Sequence, residues 1–249
     1  MQYRERFYKK YASLMRGRHE PVAAAAADHH VAPYDGYLRG WLPGNPEAAI
    51  LDVACGSGEF LRFFATRGYT RVEGVDISPE QIELARALHP QVHCANALDF
   101  LGATAGHYDL ITARDVAEHL TKDEILVFFE ICGKALRPGG RLIIQTPNGA
   151  TPWSSAIWHG DFTHEHCFTA KTLGHVFALS GFKNYEAREM APPVRGVRSS
   201  VRRLLWQWLR FSMIARNYIE TGSAGGGIYT RVFLGSAVRP LASQPGAGD

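Results

Sequence analysis

Residues 50–60 read ILDVACGSGEF, in which an apolar run ends in an acid, turns through two glycines and enters a helical pattern. The glycines let the backbone approach a ligand that a Cβ atom would exclude, and the helix behind them presents free N–H groups. A second apolar run, VEGVD at residues 72–76, also ends in an acid, and Asp76 lies eighteen residues after Gly58. This spacing is typical of the ribose-binding acid in a strand–loop–helix–strand nucleotide unit.

The glycine loop differs from two common phosphate-binding loops. The third glycine position of the dinucleotide fingerprint is Leu61, and no Gly-Lys-Ser/Thr follows as in a P-loop. Residues 51–58, LDVACGSG, instead resemble the first motif of class I S-adenosylmethionine-dependent methyltransferases, Leu-Asp-x-Gly-x-Gly-x-Gly. Ala54 stands where that motif has its first glycine, which is a mild departure because alanine is the next smallest residue.

Hydrophobic patterning predicts alternating strands and helices over residues 48–148. We expect strands at 48–53, 71–76, 92–95, 108–113 and 140–146, and helices at 59–67, 79–88 and 122–136. A helix that Thr169 caps, a strand after Phe182 and a closing strand at 229–235 follow. The predicted fold is α/β: a Rossmann-like, seven-stranded, mostly parallel sheet with helices on both faces, with ligands at the carboxyl ends of the strands.

The pattern also predicts how the chain is organised around that sheet. We expect an N-terminal helical lid at residues 1–44, a basic amphipathic helix at 195–216 and a disordered tail at 241–249. The resemblance implies a methyltransferase domain at 45–240, with its acceptor loop at 149–170. An alanine tract at 23–27 favours a helix in the lid. That helix either packs on the core or, as the resemblance implies, belongs to a region that lies over the cofactor, where Tyr34 or Tyr37 would contact ligand.

Composition excludes several classes of protein. The 249 residues carry 27 Lys+Arg against 24 Asp+Glu, and the net charge of +3 gives no reason to expect nucleic acid as a partner. No CxxC pair occurs among the four cysteines, which argues against a zinc ribbon or a disulfide framework and for reduced thiols. The N-terminus lacks an apolar signal core and no apolar run approaches the length of a membrane span. We therefore expect a cytoplasmic protein of undetermined oligomeric state.

The methyltransferase resemblance implies roles for the residues at the strand ends. Asp52 would organise the glycine loop and approach the methionine amino group, unless it merely caps the turn, and Asp76 would accept hydrogen bonds from both ribose hydroxyls. Asn96 replaces the acid that usually binds the adenine amino group, and its amide can both accept and donate. The expected cofactor is S-adenosylmethionine, bound by Asp52, Ala54, Cys55, Gly56, Gly58, Asp76, Ile77, Asn96, Ala97, Arg114 and Asp115.

Methyl transfer is an in-line displacement at a sulfonium, so the protein mainly aligns the acceptor. An alcohol acceptor has a high pKa and benefits from a general base or a metal. Residues 158–169, WHGDFTHEHCFT, place three histidines and two acids just past the fifth predicted strand. The candidate catalytic residues are His164 and His166 of this stretch and His119 after the fourth predicted strand. A structural role for His119 is the alternative to its role as a base. A metal held by this loop and a purely structural loop remain alternatives, and the favoured expectation is no metal.

The segment 195–216 carries six arginines and no acid. At 100° per residue its apolar side chains share one face: Val197, Val201, Leu204, Leu205 and Trp208. Two interpretations stay open. Either the apolar face caps the core and leaves the arginines in water, or the helix contacts an anionic membrane surface or a lipid-linked phosphate.

The resemblance covers about residues 45–185 and implies S-adenosylmethionine-dependent methyl transfer. Our first expectation is O-methylation of a sugar hydroxyl in a cell-surface glycan. The first alternative is a quinone-type or other small-molecule O-methyltransferase, and the second is a non-catalytic cofactor-binding subunit of a polysaccharide assembly. The expected partners are a small-molecule or glycan acceptor, with peripheral contact at the inner face of the membrane through residues 195–216 as an open possibility.

Overall fold

The structure is a computed structural model that describes residues 3–8, 10, 14 and 23–241. Much of the predicted lid before residue 23, and the predicted disordered tail after Leu241, lie outside the described residues. The described chain forms a seven-stranded sheet in the order β3-β2-β1-β4-β5-β7-β6. The strands β1 to β7 span Ala49–Val53, Arg71–Asp76, Val92–Cys94, Tyr108–Arg114, Leu136–Pro147, Lys183–Glu189 and Val232–Val238.

Strands β1 to β5 pair in parallel, whereas β7 runs antiparallel to both β5 and β6. The predicted seven-stranded, mostly parallel sheet is therefore confirmed. The helices α1 to α10 span Tyr3–Tyr8, Ala24–Val31, Tyr34–Tyr37, Glu59–Ala65, Pro79–Arg86, Ala97–Gly102, Lys122–Ala135, Ser154–Trp158, Ala170–Leu179 and Val197–Thr221. Strand order reverses at β1, which lies between β2 and β4, and this is where ligands bind in open α/β sheets.

Two strand starts differ from the prediction by more than one residue. Strand β5 begins at Leu136 rather than at residue 140, because the glycine turn after Pro138 forms an irregularity within the β4–β5 ladder instead of preceding it. Strand β7 begins three residues later than predicted. The side chain of Asn148 donates to the carbonyls of Ile228 and Thr230, and these bonds hold that segment outside the ladder.

Helices α6 and α8 were absent from the prediction. The start of α6 has a local signal, since the side chain of Asn96 accepts a hydrogen bond from the Leu98 N–H and so acts as its N-cap. Asn96, which the resemblance assigns to the ligand, therefore also has a structural role. The predicted helix over the alanine tract is confirmed as α2, which Asp28 links to Arg62 of α4 through a 2.7 Å ion pair.

The core lies on both faces of the sheet. On one face α4 and α5 pack with the α3 region, and the cluster includes Tyr34, Trp41, Phe60, Phe63, Phe64 and Ile82. On the other face α7 and α9 contribute Phe128, Phe129, Phe177 and neighbouring residues. Burying a phenylalanine fully stabilises a fold by about 1.5–3 kcal/mol, so these clusters hold the strand ends of the site in register.

Helix α10 corrects one interpretation of the arginine segment. It is 25 residues long and has no buried residue. Val197 is 83% exposed and Trp208 is 67% exposed, so its apolar face does not cap the core and that interpretation is wrong. The amphipathic pattern alone fits both arrangements, and only the tertiary structure shows which side of the helix meets the protein. Among the described residues, no helix is long and apolar enough to cross a membrane.

Candidate active site

The glycine loop between β1 and α4 has left-handed backbone at three positions. Ala54, Gly56 and Gly58 have φ of 53°, 54° and 81°. Positive φ is unfavourable for residues with a Cβ atom, which explains why the methyltransferase motif has glycine at the position of Ala54. The Cys55 N–H donates to the Val75 carbonyl at 3.1 Å, so the loop is fixed to the end of the neighbouring strand β2.

Gly74 in β2 is a contributor to the loop that the sequence did not single out. A Cβ atom there would lie 2.7 Å from Leu61 and 2.8 Å from the Cys55 sulfur. The thiol of Cys55 is therefore packed inward against β2, and burial raises its pKa. Cys55 offers its backbone, not its side chain, to any ligand in the loop. All four cysteines are free thiols, as predicted.

Asp52 lies at the end of β1 and is 1% exposed. Its Oδ1 accepts a hydrogen bond from the Thr112 hydroxyl at 2.6 Å, whereas its buried Oδ2 has no hydrogen-bond partner among the described residues. Burial raises the pKa of Asp52 to about 6, although the positive charge of Arg114 and the bond from Thr112 act in the opposite direction. A carboxylate oxygen that has no partner in this position can accept a hydrogen bond from a positively charged group of a ligand.

Asp76, not Asp52, holds the glycine loop. Its Oδ2 accepts from the Gly56 N–H at 2.9 Å, and its Oδ1 accepts from the Ser78 N–H at 2.8 Å. The organising role that the resemblance assigned to Asp52 therefore belongs to Asp76, because the β2 strand end lies closer to the loop backbone. Ile77 follows directly and is 46% exposed, so an apolar surface lies open beside this carboxylate.

Arg114 ends β4 close to Asp52. Its guanidinium carbon stacks 4.1 Å from the centre of the Phe60 ring. The residue as a whole is partly exposed, but its Nε is buried and has no hydrogen-bond partner among the described residues. Burial lowers the pKa of Arg114, but the neighbouring Tyr34 and Asp52 outweigh burial and raise it overall. Asp52 and Arg114 thus place one unpaired acceptor and one unpaired donor atom in the same buried region.

A chain of hydrogen bonds connects this region to the N-terminal segment. The Tyr34 hydroxyl of α3 donates to Gln145 of β5, and the Gln145 amide donates to Asp115 at 2.8 Å. Asp115 also has left-handed backbone, with φ of 53°. Tyr37 donates its hydroxyl to the carbonyl of Ala191 at 2.7 Å. Of the two tyrosines predicted to contact ligand, Tyr34 is the one bonded into the network around Asp115.

Glu118, His119 and His164 meet immediately after the end of β4. Their ligand-type atoms all lie within 4.8 Å of one another, and the two imidazole rings are 4.9 Å apart. The Thr163 hydroxyl lies 2.8 Å from Nδ1 of His119 and 2.6 Å from Oδ1 of Asp161. The acceptor loop therefore contributes His164, Thr163 and Asp161 to a cluster built on the β4 end.

Burial determines the protonation of this cluster. It raises the pKa of Glu118 well above its usual range, and the nearby Asp115 acts in the same direction. Burial lowers the pKa of His119, and the neighbouring His164 lowers it further. Burial would raise the pKa of Asp161, but hydrogen bonds from Thr163 outweigh it and lower the pKa. A neutral His119 imidazole at neutral pH is available to accept a proton.

The other histidines of the loop have different surroundings. The ring of His166 packs edge-on against Phe168 at 4.5 Å, and its backbone N–H donates to the Glu118 carbonyl at 3.0 Å. The predicted loop motif of three histidines and Asp161 does not appear as a ligand cluster among the residues that the structure describes. Glu118, which is not among the predicted site residues, takes part instead, and its position next to His119 in the chain is the signal that points to it.

Helix α1 lies against the acceptor loop. The ring of Phe7 stacks on that of Phe162 with centroids 5.6 Å apart. Arg4 pairs with Glu124 of α7 at 2.7 Å, and the Tyr3 hydroxyl bonds to Glu165. These contacts join the N-terminal helix α1 to the acceptor loop and to α7.

Comparison with known proteins identifies the family. A family profile described as "Methyltransferase domain" matches residues 25–187. The chain belongs to this family. It is 26% identical over 174 residues to a "Ubiquinone biosynthesis O-methyltransferase" of Idiomarina loihiensis, across 63% of this chain and 70% of the relative. Other relatives with the same name match over about half of their own length.

Solved methyltransferases share the fold. A S-adenosylmethionine-dependent methyltransferase from Archaeoglobus fulgidus superposes with a TM-score of 0.64 at 18% identity, covering 93% of this chain and 99% of that one. Phosphoethanolamine N-methyltransferase 2 of Haemonchus contortus, in complex with S-adenosyl-L-methionine, gives 0.61 at 16% identity over 94% and 60%. The predicted fold, methyltransferase family and cofactor, S-adenosylmethionine, are confirmed.

The residues of this methyltransferase fit that cofactor. Its methionine end carries an ammonium and a carboxylate. Within the described part of the chain, the site holds a buried carboxylate oxygen on Asp52 and a buried guanidinium nitrogen on Arg114 that have no hydrogen-bond partner. Buried polar atoms without partners are costly, so a ligand of complementary charge stabilises both. The glycine loop presents only backbone and small side chains on the adjoining side.

Proposed function

We propose that this methyltransferase transfers a methyl group to a hydroxyl oxygen, and that the cluster of Glu118, His119 and His164 removes the hydroxyl proton. The observation that supports this proposal is a buried histidine with a lowered pKa beside a second histidine, immediately after the β4 strand end. A hydroxyl acceptor needs a base more than an amine or thiol does.

The cofactor side of the proposal follows from the strand ends. Bound S-adenosylmethionine supplies an electrophilic methyl group. We assign its ammonium to Asp52, its carboxylate to Arg114, its ribose hydroxyls to Asp76 and its adenine face to Ile77. The remaining assigned contacts come from backbone and side chains of Ala54, Cys55, Gly56, Gly58, Asn96, Ala97 and Asp115. The oxygen of Asn96 already caps α6, so its NH₂ is the group assigned to the adenine edge.

The acceptor side follows from the orientation of the histidines. Thr163 lies against Nδ1 of His119, which leaves Nε2 of that ring to face the acceptor or His164. Asp161 holds Thr163 and, being ionised, stabilises the positive charge that forms when an imidazole takes the proton. Burial raises the pKa of Glu118 well above its usual range, which disfavours a negative charge on this carboxyl beside the two imidazoles.

The proposed acceptor is a phenolic hydroxyl on a small hydrophobic molecule of the quinone-precursor type. The names of the relatives support this class. A sugar hydroxyl, the first expectation from the sequence, is the second candidate. A sugar hydroxyl has the greater need of the histidine base, which is the observation in its favour. In either case we propose a cytoplasmic enzyme.

The acceptor proposal predicts which compounds receive the methyl group. With S-[methyl-³H]adenosylmethionine, we expect the protein to label a catechol such as 3,4-dihydroxybenzoate and to leave methyl glucoside unlabelled. Labelling of the sugar alone would contradict the phenolic acceptor and support the sugar hydroxyl. Tight binding of S-adenosylhomocysteine without labelling of either class would instead support the non-catalytic subunit.

The raised pKa of Asp52 predicts a pH dependence of cofactor binding. An ionised Asp52 attracts the methionine ammonium, and protonation removes that attraction, so affinity should fall as pH drops through about 6. Below that value we expect about a tenfold loss per pH unit. Calorimetry with S-adenosylhomocysteine from pH 5 to 8 measures it. Asp52→Asn should bind weakly with no such slope, and an identical slope in that variant would contradict the assignment.

A further inference from the structure

Helix α10 presents its apolar face to solvent over its whole length. The exposed fraction is 50% for Val201, 65% for Leu204, 67% for Trp208 and 70% for Phe211. At 100° per residue these side chains fall in one stripe, which Ile219, 85% exposed, continues toward the C-terminal end. A contiguous exposed apolar stripe of this kind marks an interaction surface.

The opposite side of α10 is attached to the protein. The Trp206 indole N–H donates to Glu189 at 3.4 Å, and Arg210 donates to the Gly227 carbonyl at 2.7 Å. Arg203 donates to the Pro192 carbonyl at 3.5 Å. These contacts explain the tryptophan and two of the arginines on the polar side, since they orient the helix with its apolar face outward.

The remaining arginines lie beside the apolar stripe and in water. Arg198, Arg202 and Arg216 are exposed, at about 100–140° from Val197 around the helix, and Arg195 is exposed just before it. No acid occurs from residue 195 to residue 216. If a second copy of the chain paired α10 with α10, two such arginine edges would meet with no acid between residues 195 and 216 to offset them. An anionic lipid surface offers the complementary charge along the whole edge.

We propose that α10 lies on an anionic lipid bilayer, with its apolar stripe in the headgroup–acyl boundary and its exposed arginines on the lipid phosphates. The helix is not apolar enough to cross the bilayer. Trp206 and Arg210 attach it to the methyltransferase domain, so a helix lying on the bilayer holds the enzyme at the membrane surface. This inference does not rest on the proposed acceptor. Vesicle binding needs neither cofactor nor acceptor, so its failure and a failure of methyl transfer are separate results.

The test is co-sedimentation of the full chain with vesicles of phosphatidylglycerol and phosphatidylcholine, and with vesicles of phosphatidylcholine alone. We expect binding to the anionic vesicles only, weakened by salt. Each basic residue near such a surface contributes roughly fivefold in affinity, so the triple variant Arg198→Gln, Arg202→Gln and Arg216→Gln should bind about 100-fold more weakly. These three side chains are exposed, so their replacement leaves the fold intact.

Two further variants make the test specific. A variant that removes the same charge elsewhere, Arg71→Gln, Arg86→Gln and Lys183→Gln, should bind better than the α10 charge variant. Replacement of Val201, Leu204 and Trp208 by serine should also release the protein. Equal losses in the two charge variants, or no binding to either vesicle, would overturn the proposal. So would a dimer in analytical ultracentrifugation that the serine variant dissociates, since a second copy would then occupy the stripe.

Discussion

Asp76→Ala should weaken the binding of S-adenosylhomocysteine by about 30- to 150-fold. A carboxylate that accepts from two ribose hydroxyls contributes about 2–3 kcal/mol in charge-assisted hydrogen bonds. The same carboxylate accepts the N–H groups of Gly56 and Ser78, so the alanine variant also loosens the glycine loop. Isothermal titration calorimetry of both proteins measures the loss directly.

Two variants separate ligand contact from loop structure. Asp76→Asn keeps one oxygen acceptor for the loop and removes the charge, so we expect its affinity to lie between those of the native protein and Asp76→Ala. Asp99→Ala is the matched control, because Asp99 is an exposed acid in the first turn of α6. Native affinity in Asp76→Ala would contradict the assignment of Asp76 to the ribose.

His164→Gln should lower methyl transfer about 100-fold or more, which is the scale of general-base catalysis, without changing the affinity for S-adenosylhomocysteine. His119→Gln should have a similar effect, because the two rings are 4.9 Å apart and belong to one cluster. Groups that act as a unit are not additive, so the double variant should lose about as much as the worse single one. His175→Gln on the exposed side of α9 is the matched control.

The pH profile adds a second readout of the same prediction. Burial and His164 lower the pKa of His119, so the acid limb of the rate profile should lie below the usual range of a free histidine. The rate falls as pH decreases through that limb, because a protonated imidazole accepts no proton. Full activity of both histidine variants would contradict the general-base role and assign the loop a purely structural role. Loss of activity in EDTA and its recovery with Mg²⁺ would assign the cluster to a metal instead.

Local patterns in the sequence predicted the sheet and the cofactor loop. Strand length, the glycines at 56 and 58 and the capping residue Thr169 act over a few residues, and the structure contains the elements that they predicted. The backbone of Ala54 is also a local property: its left-handed conformation shows why the family motif has glycine at that position. The same local reasoning missed the short helix α6, although Asn96 carried the N-cap signal.

Contacts between side chains far apart in the sequence could not be predicted from local patterns. Asp52 and Asp76 both end strands, yet only the packing of β2 against the loop gives Asp76 the Gly56 N–H and leaves Asp52 with a buried unpaired oxygen. His164 and His166 are two residues apart in the same loop. The path of that loop past the β4 end puts one ring on His119 and the other on Phe168.

By itself, the sequence determined the α/β sheet, because hydrophobic period and glycine placement are local properties of the chain. The methyl donor followed from the resemblance of residues 51–58 to the first motif of the methyltransferases. The tertiary structure alone decided which histidines meet Glu118 and which face of α10 is open to solvent. The physical reason is that an amphipathic pattern specifies two opposite faces without specifying their neighbours. Long-range contacts of Trp206 and Arg210 then select the polar side of α10 for the protein and leave the apolar side outward.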